Sequence, residues 1–292
     1  MLTKETAKPT ARCVACGGTL SVFGSRLEYE YHRCVECGTI QLYPLPSADE
    51  LANAYADQYA TAGHYDGDAD RSRMCARPYY QSIIGALRQY HAEGLVVDYG
   101  AGWGGLCELL IAQGFQVEGV EPSDRMAAYC RKKGLPVHHG DLSVLQNKEG
   151  QIGTFALTAV FEHLVAHDAW LSHIHRLLAP RGLFITLQPT APFADFMGRL
   201  VRFGNLRAPL PSLHQIFCPP WHTVFFSFAG MKQLMAKHGF ELLDIRPAPQ
   251  GRAGGVTGLA QVAVETINRT GWRLMGRRWP LLIAHTFVFR KT

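Results

Sequence analysis

Two rhythms of apolar positions run along this chain. From residue 95 onward, short apolar runs alternate with segments whose apolar residues recur every three or four positions. The first pattern marks buried strands and the second amphipathic helices. The runs at 95–99, 116–120, 136–138, 155–161 and 182–188 predict strands, with helices over 104–113, 123–133 and 167–178. Regular alternation of this kind builds a parallel, doubly wound α/β sheet covered on both faces. Two more apolar runs, Phe240 to Ile245 and Ala284 to Arg290, bring the expected sheet to seven strands.

The pattern differs before residue 95. Residues 8–46 read as a small ribbon, with short strands around Thr19 to Phe23 and Leu27 to His32. Pro44 and Pro46 stiffen its exit, because proline fixes its own φ and restricts the preceding residue. Residues 47–93 read as a helical linker or cap. Ser47 and Glu50 have capping-box spacing, and Leu51, Ala54 and Tyr55 share one face of the helix that follows. A polar stretch at 57–72, containing Asp57, Asp66, Asp68 and Asp70, predicts a loop, and Tyr79 to Tyr90 predicts an amphipathic helix. Within the main domain, 94–292, the alternation breaks at 189–222, where Pro189, Pro192, Pro209, Pro211, Pro219 and Pro220 fall among apolar residues and Arg199, Arg202 and Arg207. A long interruption at this place predicts a substrate lid. The alternative is a helix lying on a membrane surface.

Eight cysteines divide into two groups. Cys75, Cys107, Cys130 and Cys218 are scattered and read as small buried hydrophobes. Cys13, Cys16, Cys34 and Cys37 spell C-x2-C-x17-C-x2-C, the spacing of a tetrathiolate zinc site. Each pair forms a tight knuckle, and Gly17 and Gly38 stand where a knuckle turns through positive φ. Four thiolates close the coordination sphere, so the expected Zn²⁺ is structural. Two disulfides are the alternative, disfavoured in a reducing compartment.

The chain has 292 residues, 47% hydrophobic and 18% charged, with a formal charge of +5. That composition is globular, and the mild positive charge forms no basic stripe of the kind nucleic acid requires. Met1 to Arg12 has no apolar segment and the run Trp279 to Phe289 is too short to span a bilayer. A cytoplasmic location is therefore expected.

The densest chemistry lies in Leu95-Val-Val-Asp-Tyr-Gly-Ala-Gly-Trp-Gly-Gly105 and the strand ending at Glu121. Gly100, Gly102 and Gly105 satisfy a dinucleotide fingerprint. Asp98 opposes that reading, since a carboxylate sits poorly beside a pyrophosphate but suits a ligand carrying ammonium and sulfonium groups. Glu121 is placed to hold two ribose hydroxyls.

These residues resemble the first motif of the class I S-adenosylmethionine-dependent methyltransferases. Further stretches extend the resemblance over about 95–245: Asp141-Leu142, Thr154-Phe-Ala-Leu-Thr-Ala-Val-Phe-Glu-His-Leu164, His175-Arg-Leu-Leu-Ala-Pro-Arg-Gly-Leu183 and His238-Gly-Phe240. The four-cysteine module narrows it to zinc-containing enzymes of secondary-metabolite and polysaccharide pathways, including sugar C-methyltransferases. The resemblance implies a Rossmann-like sheet with its last strand antiparallel and a cofactor pocket formed by Asp98, Gly100, Ala101, Gly102, Glu121, Pro122, Asp141, Leu142 and Phe161. It also implies a base at His222, in His222-Thr-Val-Phe-Phe-Ser227, although Trp221 replaces the Glu that precedes this His in the sugar enzymes. Glu162 and His163 are expected to line the acceptor pocket. Related quinone-biosynthesis enzymes bind a metal through Glu-x-x-Glu-His, but Ala159 replaces the first Glu, leaving two ligands and no expectation of a metal there.

The expected function is methyl transfer from S-adenosylmethionine to oxygen or carbon of a small biosynthetic intermediate. An RNA methyltransferase with an N-terminal zinc module is the alternative, weakened by a ribbon with few basic residues.

Overall fold

Two sheets organise the chain, and one two-residue strand ties them together. The computed structural model describes residues 12–61, 69–204, 217–249 and 255–292. Strands β1 (Leu20–Arg26), β2 (Tyr29–Cys34) and β3 (Ile40–Leu42) form an antiparallel meander. Its fourth strand, β9 (Val224–Phe225), comes from far along the chain and pairs with β3 through Ile40–Phe225 and Gln41–Val224. The next residue, Phe226, makes an isolated bridge to Thr190. The ribbon sheet is thus completed by the main domain.

The larger sheet contains β4 (Leu95–Tyr99), β5 (Val117–Glu121), β6 (Val137–His139), β7 (Ile152–Thr158), β8 (Leu178–Pro189), β10 (Phe240–Pro247) and β11 (Ala284–Lys291), in the order β10-β11-β8-β7-β4-β5-β6. Strand β11 is antiparallel to both neighbours, β8 and β10. The seven-stranded, doubly wound, Rossmann-like sheet with an antiparallel last strand is as expected.

Period-two alternation sends successive side chains to opposite faces. Phe155, Leu157, Phe184, Phe287 and Phe289 enter one core, against α5 (His167–Leu177) and α7 (Phe228–Lys237). Ala156, Ile185 and Val288 enter the other. That second face is covered by α2 (Ala69–Gln89), α3 (Gly105–Ile111) and α4 (Asp124–Lys132).

Some boundaries differ from expectation. Helix α2 begins ten residues before the predicted Tyr79 and runs through Pro78. Arg73 on this added part pairs with Glu108 of α3 and reaches the Tyr129 hydroxyl of α4, contacts that hydrophobic periodicity does not register. Helix α1 (Ala48–Thr61) starts with the predicted cap, since Glu50 N–H donates to Ser47 Oγ at 3.1 Å and Ser47 N–H to Glu50 Oε2 at 2.6 Å. The rest of the predicted acidic loop, 62–68, lies outside the described residues. The first part of the expected lid forms α6 (Ala191–Gly204). This helix rests on the ribbon: Ala191 and Ala194 share a core with Phe23, Tyr31 and Phe225, and Asp195 pairs with Arg33 at 3.4 Å. Residues 205–216 of the expected lid lie outside the described residues. No described helix is long and apolar enough to cross a membrane.

Candidate active site

The glycine loop follows the carboxyl end of β4, an internal strand paired with β5 and β7. Gly100, Gly102 and Gly104 have φ of +77°, +54° and +74°, a region closed to most side chains. Gly100 is constrained twice, because a Cβ there would lie 2.5 Å from Val160 Cγ2. Gly105, part of the sequence fingerprint, is needed for a different reason: a Cβ would strike the Tyr80 ring of α2. Gly104, which that fingerprint omits, caps α3 in the left-handed conformation. Ala101 is buried between these glycines.

Glu121 ends β5 and is 4% exposed. Its carboxylate accepts the Gly102 N–H at 2.7 Å and the Ser123 N–H at 2.8 Å, so each oxygen is held while retaining a further acceptor position. Burial raises its pKa, and the two backbone donors oppose that rise. Asp98 is buried beneath the same loop, with the Cys107 thiol donating to it at 3.5 Å. Its pKa is pushed up to about 7, by burial above all, with the nearby Glu121 charge adding to the rise and the Cys107 contact opposing it. Two buried acids under one loop form a strongly electronegative floor that favours a cationic ligand.

The remaining expected cofactor residues scatter more widely. Asp141 is exposed beyond β6, accepts the Ser143 N–H at 2.8 Å, and has its pKa lowered by that contact. Leu142 is buried beside it. Pro122 is exposed, and its carbonyl contacts the His139 ring. Phe161 is fully buried among Phe184, Trp170, His167 and Phe226, so its ring anchors the turn after β7. Trp103, unnoticed in the sequence, stands on the loop against Tyr129 and Arg125.

That turn carries the second half of the site. Strand β7 ends at Thr158, three residues before the predicted limit. Ala159 takes φ of +56°, a conformation that costs about 1 kcal/mol or more for a residue with a Cβ. The chain then winds through a short 3-10 turn, Phe161–His163. The three residues expected to act on the acceptor meet here. His163 and His222 rings lie 4.9 Å apart, and His163 Nε2 is 3.8 Å from Glu162 Oε1. Glu162 is fully buried and neither carboxylate oxygen has a hydrogen-bond partner. Burial raises its pKa to about 8, and burial together with the neighbouring His222 lowers that of His163 to about 3.

Thr223, also missed, locks the segment bearing His222 to this turn. Its N–H donates to the Glu162 carbonyl at 3.0 Å, and its hydroxyl lies within 2.9 Å of that carbonyl and 2.8 Å of the Leu164 carbonyl. The ribbon holds the same segment from its other side, as Leu42 N–H donates to the Thr223 carbonyl at 2.8 Å.

The four N-terminal cysteines converge. Cys13 and Cys37 Sγ are 3.6 Å apart, Cys16 and Cys34 Sγ 3.5 Å, and all four sulfurs lie within 4.8 Å of one another. A disulfide needs about 2.0 Å, whereas thiolates at about 2.3 Å from a tetrahedral zinc stand roughly 3.8 Å apart. The arrangement therefore fits zinc. Gly17 and Gly38 have φ of +74° and +79°, and N–H groups of Ala15, Gly18 and Cys37 point at sulfurs at 3.4 Å. The second knuckle is fastened to α7, since Ser227 Oγ donates to the Cys37 carbonyl at 2.5 Å and Gly230 leaves room for Cys37 and Thr39.

Comparison with known proteins agrees with this geometry. The methyltransferase-domain family matches residues 76–245. An uncharacterized methyltransferase of Oceanobacillus iheyensis is 26% identical over 157 residues, which are 51% of this chain and 73% of that protein. One from Alkaliphilus oremlandii is 27% identical over 154 residues, 51% of this chain and 65% of its own length. Among solved structures, Burkholderia thailandensis 1,6-didemethyltoxoflavin-N1-methyltransferase, with bound 1,6-didemethyltoxoflavin and S-adenosylhomocysteine, superposes with a TM-score of 0.52 at 15% identity, covering 91% of this chain and 97% of that one. The chain belongs to the methyltransferase-domain family and is a class I S-adenosylmethionine-dependent methyltransferase.

Proposed function

We propose that this enzyme methylates an oxygen or carbon of a small-molecule biosynthetic intermediate, with Glu162, His163 and His222 activating the acceptor. The observation that carries this reading is the convergence of those three side chains beside the turn that packs on the glycine loop, where Val160 covers Gly100.

When bound, S-adenosylmethionine supplies a methyl group already activated by its sulfonium. Asp98 and Glu121 favour its positive charges, Glu121 accepts its ribose hydroxyls and Asp141 its adenine amino group. In the transfer an acceptor lone pair would take the methyl carbon, and the donor would leave with the bonding pair as neutral S-adenosylhomocysteine. The protein's work is chiefly alignment and exclusion of water, together with removing the acceptor's proton. That last task falls to the Glu162–His163–His222 cluster.

A Zn²⁺ ion held by Cys13, Cys16, Cys34 and Cys37 would be structural. The thiolates would fix both knuckles, and through β3 and β9 the segment that carries His222. The 1,6-didemethyltoxoflavin bound by the Burkholderia enzyme is consistent with a small-molecule acceptor.

The test is transfer of labelled methyl from S-adenosylmethionine to a panel of phenols, enols and nucleotide sugars. The reading expects label on one class and its loss in His222→Ala and Glu162→Gln. Label on RNA alone, with steeply salt-dependent binding, would replace it.

A further inference from the structure

We propose that Glu162, His163 and His222 form a second metal site, a two-histidine, one-carboxylate set that takes zinc and keeps a position open for the acceptor oxygen. The inference rests on the acceptor approaching this cluster, as argued above.

Two donors are adjacent on the turn after β7, and the third arrives from the segment before β9. One donor atom from each residue lies within 4.8 Å of the other two. Glu162 is the decisive group. Its side chain is 0% exposed, and both oxygens lack a hydrogen-bond donor. The neutral His163 ring has its Nε2 at 3.8 Å from Oε1, too far for a hydrogen bond. A buried carboxyl without a partner is costly to ionise, and a dication between the three donors would offset that cost. Zinc ligands at about 2.0–2.2 Å need donors roughly 3.3–3.6 Å apart, which modest side-chain rotations supply here.

The supporting shell is in place. Tyr31 holds the His222 carbonyl, and Thr223, the next residue, is tied to the Glu162 and Leu164 carbonyls. Two imidazoles with one carboxylate suit zinc better than magnesium or calcium, which prefer oxygen throughout. Three protein ligands leave zinc a fourth position, unlike the closed four-cysteine set. An acceptor hydroxyl entering it would give up its proton to solvent more readily, the three side chains then acting through the metal and not as the base themselves, which favours oxygen acceptors over carbon and nitrogen.

The full-length protein, dialysed against buffered zinc, is assayed for metal by mass spectrometry. We expect about two equivalents per chain, falling to about one in Glu162→Gln and in His222→Ala, with S-adenosylhomocysteine affinity within about twofold of wild type. Cobalt loading of the wild type checks this without any variant: a second ion with visible ligand-field bands and no thiolate charge transfer is expected. A single equivalent in the wild type, or two equivalents undiminished in both variants, would overturn the site, as would cobalt bound to thiolate alone. Failure to bind S-adenosylhomocysteine would instead count against the cofactor assignment, because the metal count is read separately.

Discussion

The Tyr31 hydroxyl donates a hydrogen bond to the His222 carbonyl at 3.1 Å. This one contact joins the ribbon sheet to the residue expected to act on the acceptor. Tyr31 is 2% exposed and its ring is packed by Phe217 and Phe225, so the hydroxyl has a fixed aim. Replacing Tyr31 with Phe keeps the packing and removes the bond, a loss of about 1 kcal/mol in stability. Methyl transfer should fall several-fold while S-adenosylhomocysteine affinity, measured by calorimetry, stays unchanged. An equal fall in both would place Tyr31 outside this role.

Asp98 predicts a pH dependence of cofactor binding. Its pKa in the free protein is raised to about 7, and a cationic ligand would lower it. Binding below pH 7 therefore releases a proton. Affinity should be level above pH 7 and weaken as pH falls, approaching tenfold per unit. Calorimetry in buffers of different ionisation enthalpy measures the proton released. The pH dependence should disappear in Asp98→Asn.

Gly100→Ala should abolish cofactor binding. The substitution forces a Cβ into left-handed backbone and within 2.5 Å of Val160 Cγ2. The backbone conformation alone costs about 1–2 kcal/mol, and the clash displaces Val160, whose neighbours are Phe161 and Glu162. Gly102→Ala, with no heavy atom within 4 Å of the added Cβ, should be milder in melting temperature. Thermal melts of the two variants with and without S-adenosylhomocysteine compare them.

Removing metal from the four cysteines should reach the active site through the chain of contacts from Cys37 to Ser227 and from Leu42 to Thr223. A thiol-reactive reagent that ejects zinc should lower the melting temperature and slow methyl transfer. Cofactor affinity should change less, because the glycine loop belongs to the other sheet. A melting curve and initial rates across the titration give both readouts.

The glycine loop, the acid at the end of β5 and the cysteine knuckles were legible in the sequence because local backbone geometry dictates them. Gly17, Gly38, Gly100 and Gly102 all adopt the positive φ that their turns demand. The number of strands followed from the apolar runs, and the antiparallel last strand from the family resemblance. The partners of His222 were less visible. Glu162 and His163 are adjacent, but nothing periodic links them to His222, and the pairing of Val224–Phe225 with Ile40 and Gln41 is a long-range event. Thr223 and Tyr31 act through backbone carbonyls, which leave no signature in side-chain pattern. Phe161, which the resemblance sets in the cofactor pocket, has its ring in the core at the 3-10 turn, a burial that the apolar pattern alone does not distinguish from a pocket wall. With His222 added, the donor count at that turn rises from two to three, and the reason for setting a metal aside is removed.

The central claim is that the methyl donor opens onto the Glu162–His163–His222 cluster, and a crystal structure with S-adenosylhomocysteine tests it most directly. The account predicts the ribose hydroxyls on Glu121 and the sulfur facing the cluster across a gap wide enough for one acceptor group. A sulfur directed elsewhere, with the cluster walled off from it by protein, would contradict the account.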